Sequence, residues 1–161
     1  MSEIKTIKKQ PGPKAFEKEV ENDINGYTTI NSGGMIGWTA DVYNRALHVE
    51  CKFTSKPYID FKADWLEKNY DEAVREQRVP VVAVRITNEY GGYFAFVPNL
   101  EDRMTVGMNK TIRLRNGDLE RLRILGQSIR SPGMPVSYVV ISGAELCEFA
   151  YECAKRMGID L

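Results

Sequence analysis

Two carboxylates and an amine stand at a spacing that suits phosphodiester chemistry: Asp41, Glu50 and Lys52, within Asp41-Val-Tyr-Asn-Arg-Ala-Leu-His-Val-Glu-Cys-Lys52. Thr39 to Tyr43 reads as a short strand, Asn44-Arg45 as turn residues, and Ala46 to Phe53 as a second strand rich in β-formers, so the pair predicts a hairpin. Alternation in the second strand puts Glu50 and Lys52 on one face, with Val49, Cys51 and Phe53 on the other. Asp41 reaches the same edge from the neighbouring strand. Hard oxygen ligands of this kind suit Mg²⁺, with Mn²⁺ as a substitute, since Mg²⁺ keeps several waters and takes one or two carboxylates from a protein. Lys52 is then placed to orient an attacking water or to stabilise charge building on a phosphate. An acid-x-Lys triplet also occurs on ordinary solvated strands, so the elements around it carry weight.

Pro13 stands at a first helical turn, and Phe16, Val20 and Ile24 recur at four-residue spacing, the stripe of a helix lying on a sheet. Glu17 and Glu21 flank that stripe, and periodicity does not choose between them. Tyr27 to Ile30 reads as a strand leading into Asn31-Ser-Gly-Gly-Met-Ile-Gly37, whose glycines allow backbone N–H groups to approach a phosphate. Ser55-Lys56-Pro57 breaks the second hairpin strand. Asp60 is the expected N-cap of a helix to about Gln77, with Phe61, Trp65, Leu66, Tyr70, Ala73 and Val74 on its packing face. Pro80 to Ile86 is the continuous apolar run of a buried central strand, and Tyr93 to Val97 is another strand.

In the remainder, Thr111 to Arg115 alternates and places Arg113 and Arg115 on one face. Asn116-Gly117 reads as a hairpin turn, with Asp118 to Leu125 a return strand or a short helix. Gly126 to Pro135 reads as a loop and Val136 to Ile141 as a strand. Ser142-Gly-Ala-Glu145 is a capping box opening a helix that Gly158 ends. The expected fold class is therefore α/β, a central mixed β-sheet flanked by helices. The expected organisation is a basic arm over residues 1–12 and one domain over 13–161, in which 99–161 form a strand–helix extension packed on the core.

The pattern Asp-x8-Glu-x-Lys behind a helix-borne Glu resembles the PD-(D/E)xK nuclease superfamily, most closely the archaeal-type Holliday-junction resolvases that also occur in phages. The resemblance spans roughly residues 13 to 98. Lys14-Ala-Phe-Glu17-Lys-Glu-Val is similar to that family's opening helix, which makes Glu17 the first metal-site acid. Asn31-Ser32-Gly33-Gly34 is similar to its Ser-Gly loop, implying that Ser32 approaches the phosphate. Asp41 and Glu50 match its strand ligands and Lys52 its lysine, and Phe53-Thr54-Ser55-Lys56 matches the polar, basic turn that follows. Cys51 stands where the archaeal members more often have Val. The resemblance implies a restriction-endonuclease-like core, a catalytic set of Glu17, Asp41, Glu50, Lys52 and Ser32, and metal ligands Asp41, Glu50 and Glu17. It further implies a homodimer that cuts a four-way junction in two symmetric incisions. Kept beside this are another nuclease of the superfamily acting in repair or restriction on linear or damaged duplex, and an inactive DNA-binding scaffold.

Lys plus Arg equals Asp plus Glu at 22 each, which gives no overall basic excess for a phosphate backbone. Distribution is uneven: Arg103 to Arg130 holds seven basic and two acidic residues. Lys14, Ser32, Lys56, Lys62, Arg113 and Arg115 are the expected DNA contacts. The longest apolar runs, Val79 to Val84 and Tyr138 to Ile141, are too short to cross a bilayer. No apolar stretch follows Lys5, Lys8 and Lys9, so the expected setting is cytoplasmic, the host cytoplasm or nucleoid for a viral protein, with no membrane partner. Cys51, Cys147 and Cys153 lack metal-ligand spacing and are expected to be reduced, and His48 is expected to be a satisfied strand residue.

Overall fold

The computed structural model describes residues 12–29, 40–86, 92–99, 105–108 and 110–161. It begins with α1 (Pro13–Asp23), β1 (Tyr27–Thr28), the hairpin β2 (Val42–Tyr43) and β3 (Leu47–Thr54), and the short β4 (Ile59–Lys62). Next come α2 (Ala63–Arg75), β5 (Val79–Ile86), β6 (Phe94–Pro98), β7 (Thr105–Gly107) and β8 (Thr111–Leu114). The chain closes with α3 (Asn116–Leu125), β9 (Ser128–Arg130), β10 (Tyr138–Ser142) and α4 (Gly143–Met157). Eight strands form one mixed sheet in the order β1-β2-β3-β5-β6-β10-β9-β7, while β4 and β8 make a separate antiparallel ribbon. Among the described residues no helix is long and apolar enough to cross a membrane. The expected mixed α/β architecture is thus the observed one.

The apolar run of β5 is buried on both faces because the sheet separates two cores. Val81 and Ala83 face α1 and α4, joining Phe16, Val20, Leu146 and Ala150. Val82, Val84 and Ile86 face α2, α3 and the ribbon, joining Leu66, Leu119, Phe61 and Phe96. The period of two along the strand produces this division directly. β3 runs parallel to β5 with Glu50 opposite Val82 and Lys52 opposite Val84. Glu50 and Lys52 consequently look toward α2, and Val49 and Cys51 toward α1.

Three local expectations give way to the tertiary structure. Asp60 is not an N-cap: it lies in β4, exposed, and pairs with Arg113, whose Nε donates to Oδ1 at 2.9 Å. Ile59 and Phe61 are buried while Asp60 and Lys62 are exposed, a strand alternation too short to stand out before a helical stripe. Helix α2 starts two residues later, with Lys62 at the N-cap, and Ala63 donates its N–H to the Lys110 carbonyl at 3.0 Å in place of a side-chain cap. Asn116-Gly117 is not a hairpin turn. It opens α3, because the Asp118 carboxylate accepts the Arg115 N–H at 2.8 Å and Leu119 is buried. The 126–135 segment, expected to be a loop, contains β9, and β7 was not expected at all. Both are three-residue strands joined in parallel to each other, with β9 also held by β10. The strand expected over 136–141 is present as β10, which pairs along the whole of β6, from Tyr138 opposite Pro98 to Ser142 opposite Phe94.

Two expectations at the C-terminal end match in detail. Ser142 Oγ accepts the Glu145 N–H at 3.3 Å while the Glu145 carboxylate accepts the Ser142 N–H at 3.0 Å. Gly158 closes α4 at φ 69°, in the left-handed region. The three cysteines are free thiols.

Candidate active site

The hairpin that carries the acids is fixed by Asn44, which is 2% exposed. Its Oδ1 accepts the N–H groups of Ala46 at 2.7 Å and Leu47 at 2.6 Å, closing the turn, and its Nδ2 donates to the Ile24 carbonyl at 3.0 Å. One amide therefore ties the β2–β3 turn to the end of α1, the helix that bears Glu17.

Asp41 stands just before β2, where regular pairing ends. It donates its N–H to the Val49 carbonyl at 3.0 Å, although Val42 is the register partner of Val49. Two residues thus oppose one, the arrangement of a bulge, which turns the Asp41 side chain back over the sheet. Its Oδ2 accepts the backbone N–H of Cys51 at 2.8 Å. The carboxylate takes the place of the next ladder carbonyl, beside the strand that carries Glu50 and Lys52.

Lys52 Nζ lies 3.3 Å from Glu50 Oε1 and 4.7 Å from the Trp65 ring centroid, so the ammonium is held between an acid and an aromatic face. Both side chains are 25% exposed, open enough to meet a substrate and dry enough to feel each other's charge. Trp65 in turn meets the Phe61 ring edge-on at 5.1 Å. Glu17 approaches from α1, on the opposite side of the sheet from the Glu50 face, and is partly buried.

Burial pushes the Glu17 carboxyl up, Asp41 and Glu50 push it further, and Lys14 opposes them. Asp41 is raised by burial against the lowering effect of the Cys51 hydrogen bond and the Lys52 charge. Glu50 is raised by burial and then by Asp41, with Lys52 acting against both. The three acids therefore sense one another and hold protons more tightly than free carboxyls do. The Cys51 thiol is pushed well up by burial first and by the same acids next, which keeps it protonated and unsuited to act as a nucleophile.

A pH dependence follows. Because the folded chain binds these protons more tightly than the unfolded chain, the stability these groups contribute is complete below the ordinary carboxyl range. It is lost as pH rises through the raised values. Thermal melts in EDTA are expected to fall over that interval. Glu50→Gln, which keeps the shape without the charge, is expected to melt above wild type at neutral pH. A lower melting point for Glu50→Gln would show that the Lys52 pair outweighs burial and repulsion.

Among the described residues no three His, Cys, Asp or Glu side chains are grouped so as to hold an ion together. The pair Asp41 and Glu50 is a different case. It is an all-oxygen set whose members repel one another in a desolvated place, and two carboxylates with the remaining positions taken by water is the usual protein share for Mg²⁺. The residues fit that ion.

Of the other expected site residues, Ser32 and its glycine-rich neighbours lie outside the described residues. Lys14 is exposed on α1. Lys56, Lys62 and Arg113 gather on the β4–β8 ribbon, where Lys62 opposes Thr111 and Asp60 opposes Arg113. The Arg113 guanidinium stacks on Tyr58 at 3.9 Å and Lys56 Nζ lies 5.9 Å from the same ring. Asp60 offsets part of that basic charge, and its carboxyl is held low by the Arg113 hydrogen bond. Arg115 is exposed at the start of α3. His48 is a fully buried strand residue, but only half of the expected satisfaction is met: Nδ1 lies 2.8 Å from Glu76 Oε2, whereas Nε2, 3.3 Å from Glu72 Oε2, makes no hydrogen bond among the described residues. Two residues near the acids went unrecognised in the sequence. Trp65 reads as core packing but supports Lys52, and Glu72, to which sequence pattern assigns no role, is 8% exposed with its charge felt at both Asp41 and Glu50. Spacing alone marks neither, since the helix phase relative to the sheet is set by packing.

No protein-family model and no curated protein matches the chain. Among solved structures it is similar to Hjc, a Holliday junction resolvase from the archaeal hyperthermophile Archaeoglobus fulgidus. The two are 15% identical, the match covers 65% of this chain and 87% of that chain, and the TM-score is 0.45.

Proposed function

We propose that the protein is a Mg²⁺-dependent structure-specific endodeoxyribonuclease that resolves four-way DNA junctions as a homodimer. The observation that carries the reading is the convergence of Asp41, Glu50 and Lys52 at the open end of the β2–β3 hairpin. Two mutually repelling carboxylates stand beside an ammonium held at 3.3 Å from one of them. This is the chemistry that the resemblance to the PD-(D/E)xK nucleases implies for these same positions.

Asp41 and Glu50 would hold the ion, and Glu17 would hold one of its waters from the α1 side. A bound Mg²⁺ supplies a counter-charge for the scissile phosphate and makes water more acidic. Lys52 positions the attacking water and stabilises the negative charge that grows on the phosphate oxygens, with Trp65 limiting the directions its ammonium can take. The bond from Cys51 N–H keeps one Asp41 oxygen engaged, leaving the other to face the site. Ser32, with Lys14, contacts the phosphate. The ribbon cations Lys56, Lys62 and Arg113, with Arg115, hold the DNA backbone on the side reached through Trp65 and Phe61. Two such sites in a homodimer would address two strands of a junction related by two-fold symmetry.

The test is direct. With Mg²⁺ and equal amounts of a four-way junction, a nicked duplex and a plain duplex, paired symmetric cuts in the junction are expected, with little cutting of the other two. Equal cutting of all three would replace this reading with a general nuclease acting in repair or restriction. Junction binding with no cutting under any divalent ion would leave a DNA-binding scaffold.

A further inference from the structure

One buried side chain on α2 has no partner that explains it. Asn69, on α2, is 2% exposed, and neither its Nδ2 nor its Oδ1 finds a hydrogen-bond partner among the described residues. Buried amides in native proteins are almost always bonded. A residue placed there only to pack would be better as Leu, which fills a similar volume without polar atoms to desolvate.

The placement of α2 over β3 says what Asn69 faces. Trp65 covers Lys52, and about two and three turns later Glu72 and Glu76 flank His48, with Glu72 Oε2 3.3 Å from His48 Nε2 and Glu76 Oε2 2.8 Å from Nδ1. The helix thus runs against the direction of the strand. His48, Glu50 and Lys52 alternate onto the same face, with Glu50 midway. Asn69 follows Trp65 by four residues and precedes Glu72 by three, so it shares their stripe and lies between them along the axis. Trp65 to Glu72 covers about 10 Å of helix and His48 to Lys52 about 13 Å of strand, so the midpoints of the two rows fall at the same level. That level is Glu50. The charge of Glu72, one turn further on, is felt at both Glu50 and Asp41, as this placement requires.

We propose that Asn69 is the positioning residue of Glu50: through water shared between the two side chains, its buried amide fixes the orientation in which the Glu50 carboxylate receives a divalent cation. The inference rests on the nuclease reading and deepens it. An amide suits this place because it is neutral, adding no charge to a crowded set of acids, and it both donates and accepts. Its donor satisfies a carboxylate and its acceptor satisfies a water proton, the two needs of an acid that shares an ion with solvent.

The experiment measures Mn²⁺ affinity by electron paramagnetic resonance for wild type, Glu50→Ala, Asn69→Leu and Asn69→Ala, with thermal melts of each in EDTA. Both Asn69 variants are expected to bind Mn²⁺ about 10- to 100-fold more weakly, the usual cost of losing a group that orients a ligand. The Leu variant is expected to melt no lower than wild type. Unchanged Mn²⁺ affinity in either folded Asn69 variant, whatever its melting point, overturns the proposal and leaves the nuclease reading standing. Failure of wild type to bind Mn²⁺ more tightly than Glu50→Ala overturns the nuclease reading and this inference with it.

Discussion

Replacing either strand acid is expected to reduce junction cleavage by about 10³-fold or more, equivalent to about 4 kcal/mol of transition-state stabilisation. Junction binding is expected to persist, because the ribbon cations and α1 are untouched. The two positions nevertheless differ in what else they do, and that difference makes the result interpretable. Asp41 accepts the Cys51 N–H at 2.8 Å, so Asp41→Ala leaves a donor in the middle of the sheet without its acceptor and costs about 1–3 kcal/mol of stability as well. Asp41→Asn keeps an amide oxygen for that bond and is the cleaner variant. Among the described residues the Glu50 carboxylate takes part in no such backbone bond, and its charge is disfavoured where it stands. Asp41→Asn and Glu50→Gln should therefore agree in losing cleavage. They should part company from Asp41→Ala in stability, which cleavage assays paired with thermal melts will show. Cleavage by Asp41→Asn or Glu50→Gln at the wild-type rate would remove these residues from the site.

A chain ended after Pro98 is expected not to fold cooperatively, although it contains every residue assigned to the candidate chemistry except the basic groups of β8 and α3. Phe94, Ala95, Phe96 and Val97 are at most 2% exposed, and β6 would lose its partner β10 along its entire length. The α2 side would lose Met108, Leu114, Leu119, Ile129, Met134, Tyr138 and Val140 from its core, and the α1 side Leu146, Ala150, Cys153 and Ala154. At roughly 1.5 kcal/mol or more for each large apolar side chain, that loss is comparable with the whole stability of a typical domain, about 5–15 kcal/mol. Circular dichroism melts of the shortened chain should show no sharp transition. A cooperative melt would instead mean that residues 99–161 are an addition to an independent core.

Burial against the two faces of one sheet explains which parts of this architecture were legible beforehand. Residues with strong periodic patterns were placed well: the Phe16, Val20 and Ile24 stripe became α1, the Val-Pro-Val-Val-Ala-Val run became the central β5, and the Ser142 to Glu145 box became the start of α4. Short elements were not. β4, β7 and β9 are three or four residues long, and pairing rather than sequence period sustains them. Asn116-Gly117 carries a real turn preference, but an Asp at the third helical position and the burial of Leu119 decided for a helix.

The candidate site divides in the same way. Alternation along one strand is covalent geometry, so the sequence by itself determined that Glu50 and Lys52 share a face and that Cys51 turns away. It also determined that Asp41 stands at the far side of a hairpin turn. Tertiary packing alone brings the Asp41 carboxylate to the Cys51 N–H, sets Trp65 against Lys52, and buries Glu72 where its charge is felt at Asp41 and Glu50. Those contacts depend on how a helix is rotated and shifted over a sheet. That choice is made by the summed burial of two cores, and no short stretch of sequence records it.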